Sequence, residues 1–578
     1  MSSLEKLKQT TTLKDFAKLI GYQPKTLSYI LYQIPEENKY FEFSIPKKNG
    51  GERKIKSPND KLKKLQKKVA KLLNNCLEEI LSSHKQSLSH GFRRNHSIVT
   101  NARKHKKKRH VFNIDLEKFF PSINFGRVRG FFIKNNHFIL QPPVATVIAQ
   151  IACHDNSLPQ GSPCSPVISN LIGHLIDIRM VQLAKKAKCT YSRYADDIIF
   201  STNKKEFPDL IATQDKESPN KWLASDILEK EIGRLGFEIN KSKTSLQNKT
   251  SRQTATGLVV NNKVNVKVEY CRIARAMCNQ LFATNEFYIK SDIAGQENIP
   301  GNINKLIGAV NFIYQIKRHH DDREMRERHN KSTSISKLYR KLLCYKYFHS
   351  LERPLLICEG KTDLIYLECA LKKLSNEYPS LITKENDKFI FNIGFLKLSK
   401  TFRDVFSIAK GTSGIAYLML MYQEIMAQFY GPGKIFPVIV IVDNDDGSKK
   451  INSIITEKTR TENPSKNEFN YFCDNLYVVH LPSSKGKKTT IESLFPADLL
   501  KTKIDGKKFN PNSGFDNNKE YSKIVFAEKV VRANQTNIDF NGFKPLFDRI
   551  EDVTKDYKKT CNCRTKLIQP TQKSRAAD

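Results

Sequence analysis

Three carboxylates in this chain are placed to act together. Asp196 and Asp197 lie in Tyr194-Ala195-Asp196-Asp197, directly ahead of the apolar run Ile198-Ile199-Phe200, and Asp115 closes the stretch Val111-Phe112-Asn113-Ile114. Short apolar runs of this kind are strands, so strand ends and one hairpin turn can bring the three acids to one place. Such a group of hard oxygens suits two Mg²⁺ ions about 4 Å apart, one activating an attacking hydroxyl and one stabilising a leaving group. That is the chemistry of phosphoryl transfer onto a 3′-hydroxyl. An Asp-Asp pair alone is an ordinary solvated turn, and the segments around it decide between the two readings.

Between the carboxylates stands Leu158-Pro159-Gln160-Gly161-Ser162-Pro163-Cys164-Ser165-Pro166, followed by a helical run from Val167 through His174. This order and spacing resembles the template-and-nucleotide segment of reverse transcriptases. In that setting Gly161 lets the backbone approach a base pair, and Gln160 offers an amide donor and acceptor to the incoming nucleotide. Upstream, Ile45-Pro46-Lys47-Lys48-Asn49-Gly50-Gly51-Glu52-Arg53 resembles the fingers hairpin, with Arg53 as the cation that clamps the triphosphate. Phe120 falls where these enzymes set an aromatic ring against C2′ of the sugar, which favours deoxynucleotides; core packing beside Phe119 is its plainer role. Downstream, Gly236-Phe237-Glu238-Ile239-Asn240-Lys241-Ser242-Lys243-Thr244 resembles the later palm motif, and Lys243 matches the lysine that stands near pyrophosphate as a general acid.

Two further segments narrow the resemblance to retron reverse transcriptases. Asn101-Ala102-Arg103-Lys104-His105 matches an Asn-Ala-x-x-His signature, and Ala255-Thr256-Gly257 resembles a Val-Thr-Gly signature with alanine in place of valine. The resemblance implies that Asn101, His105, Thr256 and Gly257, with a basic thumb, bind a structured non-coding RNA of the msr-msd type. That RNA serves as primer and template, and dNTPs are the substrates. The product is msDNA, a single-stranded DNA branched from a 2′-hydroxyl of the RNA. A host RNase H and a homo-oligomer are further expected partners. RNA recognition of this sort reads shape, loops and 2′-hydroxyls.

The charge balance agrees with a nucleic-acid partner. The chain holds 97 Lys plus Arg against 59 Asp plus Glu, and the excess sits mainly before residue 350, where 61 cations face 31 acids. A phosphate-bearing ligand is therefore expected on the first part, with salt-dependent affinity. No uninterrupted apolar stretch spans a bilayer, and residues 1–25 are too polar for a signal peptide, so a cytoplasmic bacterial protein with no membrane partner is expected. The 12 cysteines include no paired C-x-x-C, and Cys561-Asn562-Cys563 stands alone, which points to reduced thiols and away from a zinc site.

A second chemistry begins near residue 350. The run Pro354-Leu355-Leu356-Ile357-Cys358 ends at Glu359-Gly360-Lys361-Thr362-Asp363, and Leu364, Leu367, Leu371 and Leu374 then recur at helical spacing. Farther on, the apolar run 436–442 ends in Asp443-Asn444-Asp445-Asp446-Gly447, as an interior parallel strand would. Strand-Glu-helix followed by strand-Asp-x-Asp resembles a TOPRIM domain. The resemblance implies that Glu359, Asp443 and Asp445 hold Mg²⁺ or Mn²⁺ for phosphodiester chemistry, with Glu359 as acid or base. Asp363 and Asp446 are accessory carboxylates. The segment Lys485 to Phe495 resembles the late part of TOPRIM nucleases related to overcoming-lysogenization proteins, where Lys488 offsets phosphate charge and Glu492 completes the metal shell. Too little chain follows for a topoisomerase gate, and no primase zinc element is visible.

The expected fold class is multidomain α+β: a right-hand polymerase of fingers, palm and thumb, then an α/β TOPRIM domain with a mainly parallel sheet. The expected boundaries are 1–250 for fingers and palm with amino-terminal helices, 251–348 for the thumb and RNA-recognition region, 349–500 for TOPRIM, and 501–578 for an extension disordered from Leu567. The function these resemblances imply is RNA-directed synthesis of msDNA, with TOPRIM as a nuclease effector restrained by the bound hybrid in anti-phage defence. The alternatives are a mobile-element reverse transcriptase of the group II intron kind, and a TOPRIM that only binds or assembles.

Overall fold

The computed structural model describes residues 1–568 apart from 48–49, 83–87, 219–220, 290–297, 409–410, 484–487, 512–513, 515 and 517, and the side chains of 325, 326, 329 and 561–568 are not described. The expected disorder from Leu567 and the Cys561-Asn562-Cys563 motif thus lie outside what is described. Ten cysteines are described, all as free thiols. The chain divides into two compact units, Met1–Lys267 and Val268–Asp578. The break therefore falls neither at 250 nor at 349. Residues 251–267 belong to the first unit, and the helices of the expected thumb belong to the second.

In the first unit, capping boxes at Ser2 with Glu5 and at Thr12 with Asp15 start two short helices, Ser3–Lys8 and Leu13–Leu19. A hairpin follows, β1 (Tyr40–Pro46) and β2 (Glu52–Pro58). Helix Asp60–Ser82 buries Leu62, Leu65, Val69, Leu73, Cys76, Leu77 and Ile80, a single stripe at helical spacing. The central sheet has β3 (His110–Glu117) in the middle, with β5 (Asp197–Thr202) on one side and β4 (Thr190–Tyr194) beyond it. The other edge of β3 is shared: Glu238–Ile239 pairs with Leu116 and Glu117, and Ser245–Asn248 pairs with His110 to Asn113. Phe112, Ile114, Leu116, Ile198 and Phe200 face one core, so Asp115 and Asp197 point to the opposite side.

Helix Ser165–Ala187 packs into that core. It is the one described helix long and apolar enough to cross a membrane, with 67% of its most apolar window buried inside the fold. The expectation that no stretch reaches this length is corrected here. The helix passes the test because small polar residues such as Ser169 and Asn170 interrupt its apolar residues without making it hydrophilic, and burial in the core suits the same composition.

In the second unit a five-stranded sheet runs in the order Gly394–Phe395, Leu355–Ile357, Val438–Val442, Leu476–His480, Asn470–Cys473. All neighbours are parallel except the last pair. Val438–Val442 is buried along its whole length, as an interior strand covered on both faces must be. Helices Lys361–Lys373, Thr412–Met426 and Lys449–Thr459 accompany the sheet. The carboxy-terminal region is no separate extension: Phe526, Val530, Phe543, Leu546, Phe547, Ile550, Val553 and Tyr557 are buried in the same core as the sheet.

Candidate active sites

The antiparallel register of β3 and β5 sets Asp115 directly opposite Asp197. Asp196 occupies the two-residue turn between β4 and β5, where Tyr194 pairs with Asp197. Ala195 takes φ +56°, and the carbonyl of Asp196 accepts the Leu116 amide at 3.1 Å, so the turn is fastened to β3. The three acids therefore meet at one end of the sheet. Lys243 Nζ donates to Asp115 Oδ2 at 2.8 Å, and the Asn240 amide bonds the Asp115 carbonyl at 2.8 Å. Burial, with Asp196 and Asp115 adding repulsion, pushes the Asp197 carboxyl up to about 7. Burial raises Asp196 as well, and the hydrogen bond to Asp115 raises Lys243. Oxygen donors packed this closely with a single ammonium beside them fit a divalent cation, which would relieve the repulsion.

The fingers hairpin stands beside this group. Arg53 on β2 is close enough for its charge to act on Asp196. Gln160 gives its backbone carbonyl to the Lys56 amide at 2.8 Å. Gly161 has φ +125°, and a Cβ there would lie 2.6 Å from the Lys56 carbonyl oxygen. Its glycine is thus required by a close approach to the chain's own hairpin, a reason different from the expected contact with a base pair. Phe120 is half-buried, its ring 5.6 Å from Phe119 and 6.2 Å from Phe92, so packing holds it in place.

Residues expected to touch RNA have other work. His105 is fully buried, with Nδ1 2.7 Å from Ser201 Oγ and Nε2 2.7 Å from Ser192 Oγ. Burial pushes its pKa down to about 3, so the ring is neutral and joins β4 to β5 on the face that carries Asp197. Asn101 is also fully buried. Direct RNA contact by these two is corrected: neither reaches solvent. Thr256 and Gly257 both have positive φ and form the turn of the hairpin Thr254–Ala255 and Leu258–Val259, the pattern of a type I′ turn. Thr256 Oγ1 donates to the Ile98 carbonyl at 3.2 Å, tying this turn to the helix Ile98–Arg103 that bears Asn101. Of the four, Gly257 alone is exposed.

Sequence reasoning missed Arg193 and Asp177. Arg193 is fully buried and makes two 2.8 Å bonds to Asp177, while its Nη1 donates to the Ala195 carbonyl at 3.1 Å. A cation at an inward strand position two residues before the acidic turn was the available signal.

Comparison with known proteins follows this geometry. Residues 45–265 match the family described as "Reverse transcriptase (RNA-dependent DNA polymerase)". Retron Mx162 reverse transcriptase of Myxococcus xanthus is 32% identical over 329 residues, covering 53% of this chain and 64% of that protein. Retron Mx65 reverse transcriptase of the same organism is 31% identical over 289 residues, 46% of this chain and 62% of that protein. Retron Ec86 reverse transcriptase of Escherichia coli is 32% identical over 275 residues, 47% of this chain and 78% of that protein. The chain belongs to the retron reverse transcriptase family. It spans a little under two thirds of the length of the two Myxococcus relatives.

The second unit of this retron-family chain holds another acidic group. Glu359 follows strand Leu355–Ile357 and Asp443 follows its parallel neighbour Val438–Val442. Asn444 and Thr489 exchange backbone hydrogen bonds of 2.8 and 2.9 Å, which brings Glu492 alongside. Burial, then Glu359, Asp363, Glu492 and Asp445, pushes Asp443 up to about 8. Burial also raises Glu359, whose Oε2 accepts from Thr412 Oγ1 at 2.8 Å, and Asp363, whose Oδ2 accepts the Gly360 amide at 2.8 Å. Glu492 is buried, and Lys523 Nζ donates to it at 3.0 Å. Asp445 Oδ1 accepts the Gly447 amide at 2.8 Å. The donor set is again hard oxygen and fits Mg²⁺ or Mn²⁺. Asp446 and Lys488 do not join it: they pair with each other on the surface, and Lys488, then Lys449, draw Asp446 down to about 2. The cation that does reach the group is Lys523, unseen in the sequence because it comes from the region taken for an extension. Lys485 to Lys487 include residues outside those described.

Proposed function

We propose that this chain is an RNA-directed DNA polymerase that makes branched, RNA-linked single-stranded DNA from a structured non-coding RNA. The observation that carries the reading is the register pair Asp115–Asp197, with Asp196 in the adjoining turn and Lys243 bonded to Asp115. Asp115, Asp196 and Asp197 would hold Mg²⁺, which when bound activates the 3′-hydroxyl and stabilises the departing pyrophosphate. Lys243 stands where a proton can be given to that leaving group. Arg53 places positive charge for the triphosphate, and Phe120 closes the side of the sugar pocket. Membership of the retron family supports the RNA template and the 2′-hydroxyl primer.

The test is purification of the protein with its bound nucleic acid and electrophoresis under denaturing conditions, before and after RNase and debranching treatment. A discrete DNA whose mobility shifts on debranching is expected from the wild type and absent from Asp197→Asn. Absence of bound DNA from the wild type would favour the group II intron-like alternative.

The second unit is, in this reading, a TOPRIM nuclease restrained by the bound RNA–DNA hybrid and acting in anti-phage defence. Support comes from the parallel strands that end at Glu359 and Asp443, and from Asp445, Asp363 and Glu492 around them. Metal-dependent cleavage of DNA or RNA that Asp443→Asn abolishes is the expected result. Phage defence undiminished in Asp443→Ala would favour a unit that only binds or assembles.

A further inference from the structure

Within the second unit, helices Val268–Thr284, Ser334–Cys344 and Thr412–Met426 line a groove of about 590 Å³. Its walls carry four cations, Arg275, Lys337, Arg340 and Lys341, against one carboxylate, Glu424. Lys337, Arg340 and Lys341 are three and four residues apart, so they stand on one face of their helix, while Ile335, Tyr339, Leu342 and Leu343 are buried. The partners these cations have are neutral. Arg275 Nη2 donates to the Ser334 hydroxyl at 2.9 Å, and Arg340 Nη2 to the Val405 carbonyl at 3.1 Å. The Lys341 ammonium lies 4.7 Å and 5.6 Å from the ring centres of Phe282 and Phe429, and burial lowers its pKa. Positive charge held among rings and carbonyls lacks the anion that would stabilise it.

The facing helix offers a different surface. Tyr417, Met421 and Ile425 recur at four-residue spacing along the groove, so they share one face of helix Thr412–Met426. A row of cations opposite an aromatic and apolar row is the arrangement that holds a single nucleic-acid strand, with phosphates on the cations and a base against the ring. An acidic peptide would use the cations and leave the apolar row unused.

We propose that this groove is a binding site for a single-stranded polynucleotide, its phosphodiesters held by Arg275, Lys337, Arg340 and Lys341 and a base stacked on Tyr417. The site is independent of both carboxylate groups, and its test does not depend on either activity. RNA and DNA strands share the chemistry, and the experiment separates them.

Full-length protein is photo-cross-linked to a 4-thiouridine-bearing 20-nucleotide RNA and to its 4-thiothymidine DNA counterpart, and the labelled peptides are identified by mass spectrometry. Cross-links within 334–344 and 412–426 are expected. In the double variant Arg275→Glu, Lys337→Glu, whose two positions are exposed, they fall at least tenfold while the circular-dichroism melt is unchanged. The salt slope of affinity falls by about 1.4 for two lost phosphate contacts. Stronger labelling by RNA assigns the groove to the template, and stronger labelling by DNA assigns it to the product. Labels confined to the first unit, labels unchanged in the double variant, or displacement by polyglutamate as effective as by unlabelled oligonucleotide would each overturn the proposal.

Discussion

Arg193 and Asp177 form a fully buried ion pair joined at two points, Nε to Oδ1 and Nη2 to Oδ2, each at 2.8 Å. The third arm of the guanidinium holds the carbonyl of Ala195, so the pair fixes the turn from which Asp196 and Asp197 project. Removing one partner strands the other charge in the core. Asp177→Asn is expected to lower stability by about 3–5 kcal/mol, read as an earlier first transition in denaturant unfolding. Polymerase activity should fall even at temperatures where the variant is folded. A variant as stable as the wild type would remove this account of the turn.

Two glycine substitutions separate strain from collision. Gly257 has φ +79° and open space around it, so Gly257→Ala is expected to cost about 1 kcal/mol and leave nucleotide incorporation within twofold of wild type. Gly161→Ala adds a Cβ against the Lys56 carbonyl, which would push the fingers hairpin off the Gln160 segment. Steady-state kinetics should show a rise in KM for dNTPs of tenfold or more. Equal effects of the two changes would mean that the close approach is unimportant.

The Asp197 carboxyl is held near 7 in the folded chain against an ordinary 3.8. Between those values the folded state binds more protons than the unfolded one, so its contribution makes metal-free stability fall as pH rises from 4 to about 7. Added Mg²⁺ should restore what is lost, most at high pH where the carboxylates are free to bind it. Urea titrations at a series of pH values test this, and Asp197→Asn should flatten that part of the dependence. A wild type whose metal-free stability rises across the window would contradict the shift.

His105 works in the other direction. Its folded pKa near 3 lies below the ordinary 6.5, so its contribution is present above 6.5 and is lost as pH falls toward 3. The ring should show no titration between pH 5 and 8 by NMR. His105→Ala leaves Ser192 and Ser201 without their partner and should cost about 2–3 kcal/mol, with the salt slope of RNA binding unchanged because no phosphate contact is lost. A reduced salt slope would return His105 to the RNA surface.

Lys488→Ala and Lys523→Ala distinguish a surface pair from a site cation. Lys488 is exposed and tied to Asp446, and its loss should leave metal-dependent cleavage nearly unchanged. Lys523 neutralises buried Glu492, and its loss should reduce cleavage strongly and weaken Mn²⁺ binding measured by calorimetry. The reverse ranking would restore Lys488 to the role the sequence suggested.

The polymerase carboxylates were legible because a strand end and a turn are local events: the apolar runs around Asp115 and Asp197 announce both. Glu359 and Asp443 could be read for the same reason, each closing an apolar strand. His105 and Asn101 were misplaced because a signature gives position in the chain and says nothing about burial, which depends on strands contributed from 190–202. Arg193 and Asp177 pair across a helix and a strand, a relation without a local pattern. The last helix was readable in part, since Phe543, Leu546, Phe547, Ile550, Val553 and Tyr557 keep helical spacing. The Asn- and Lys-rich segment before it hid the signal.

Ser192 and Ser201 lie on opposite limbs of one hairpin, and a single ring reaches both. A strand presents alternate faces at successive residues, so sliding either limb by one position would carry a hydroxyl out of reach and turn Asp197 toward the core. The imidazole is thereby a gauge of alignment. It fits one pairing of the limbs, and the acidic turn is set before any nucleotide arrives.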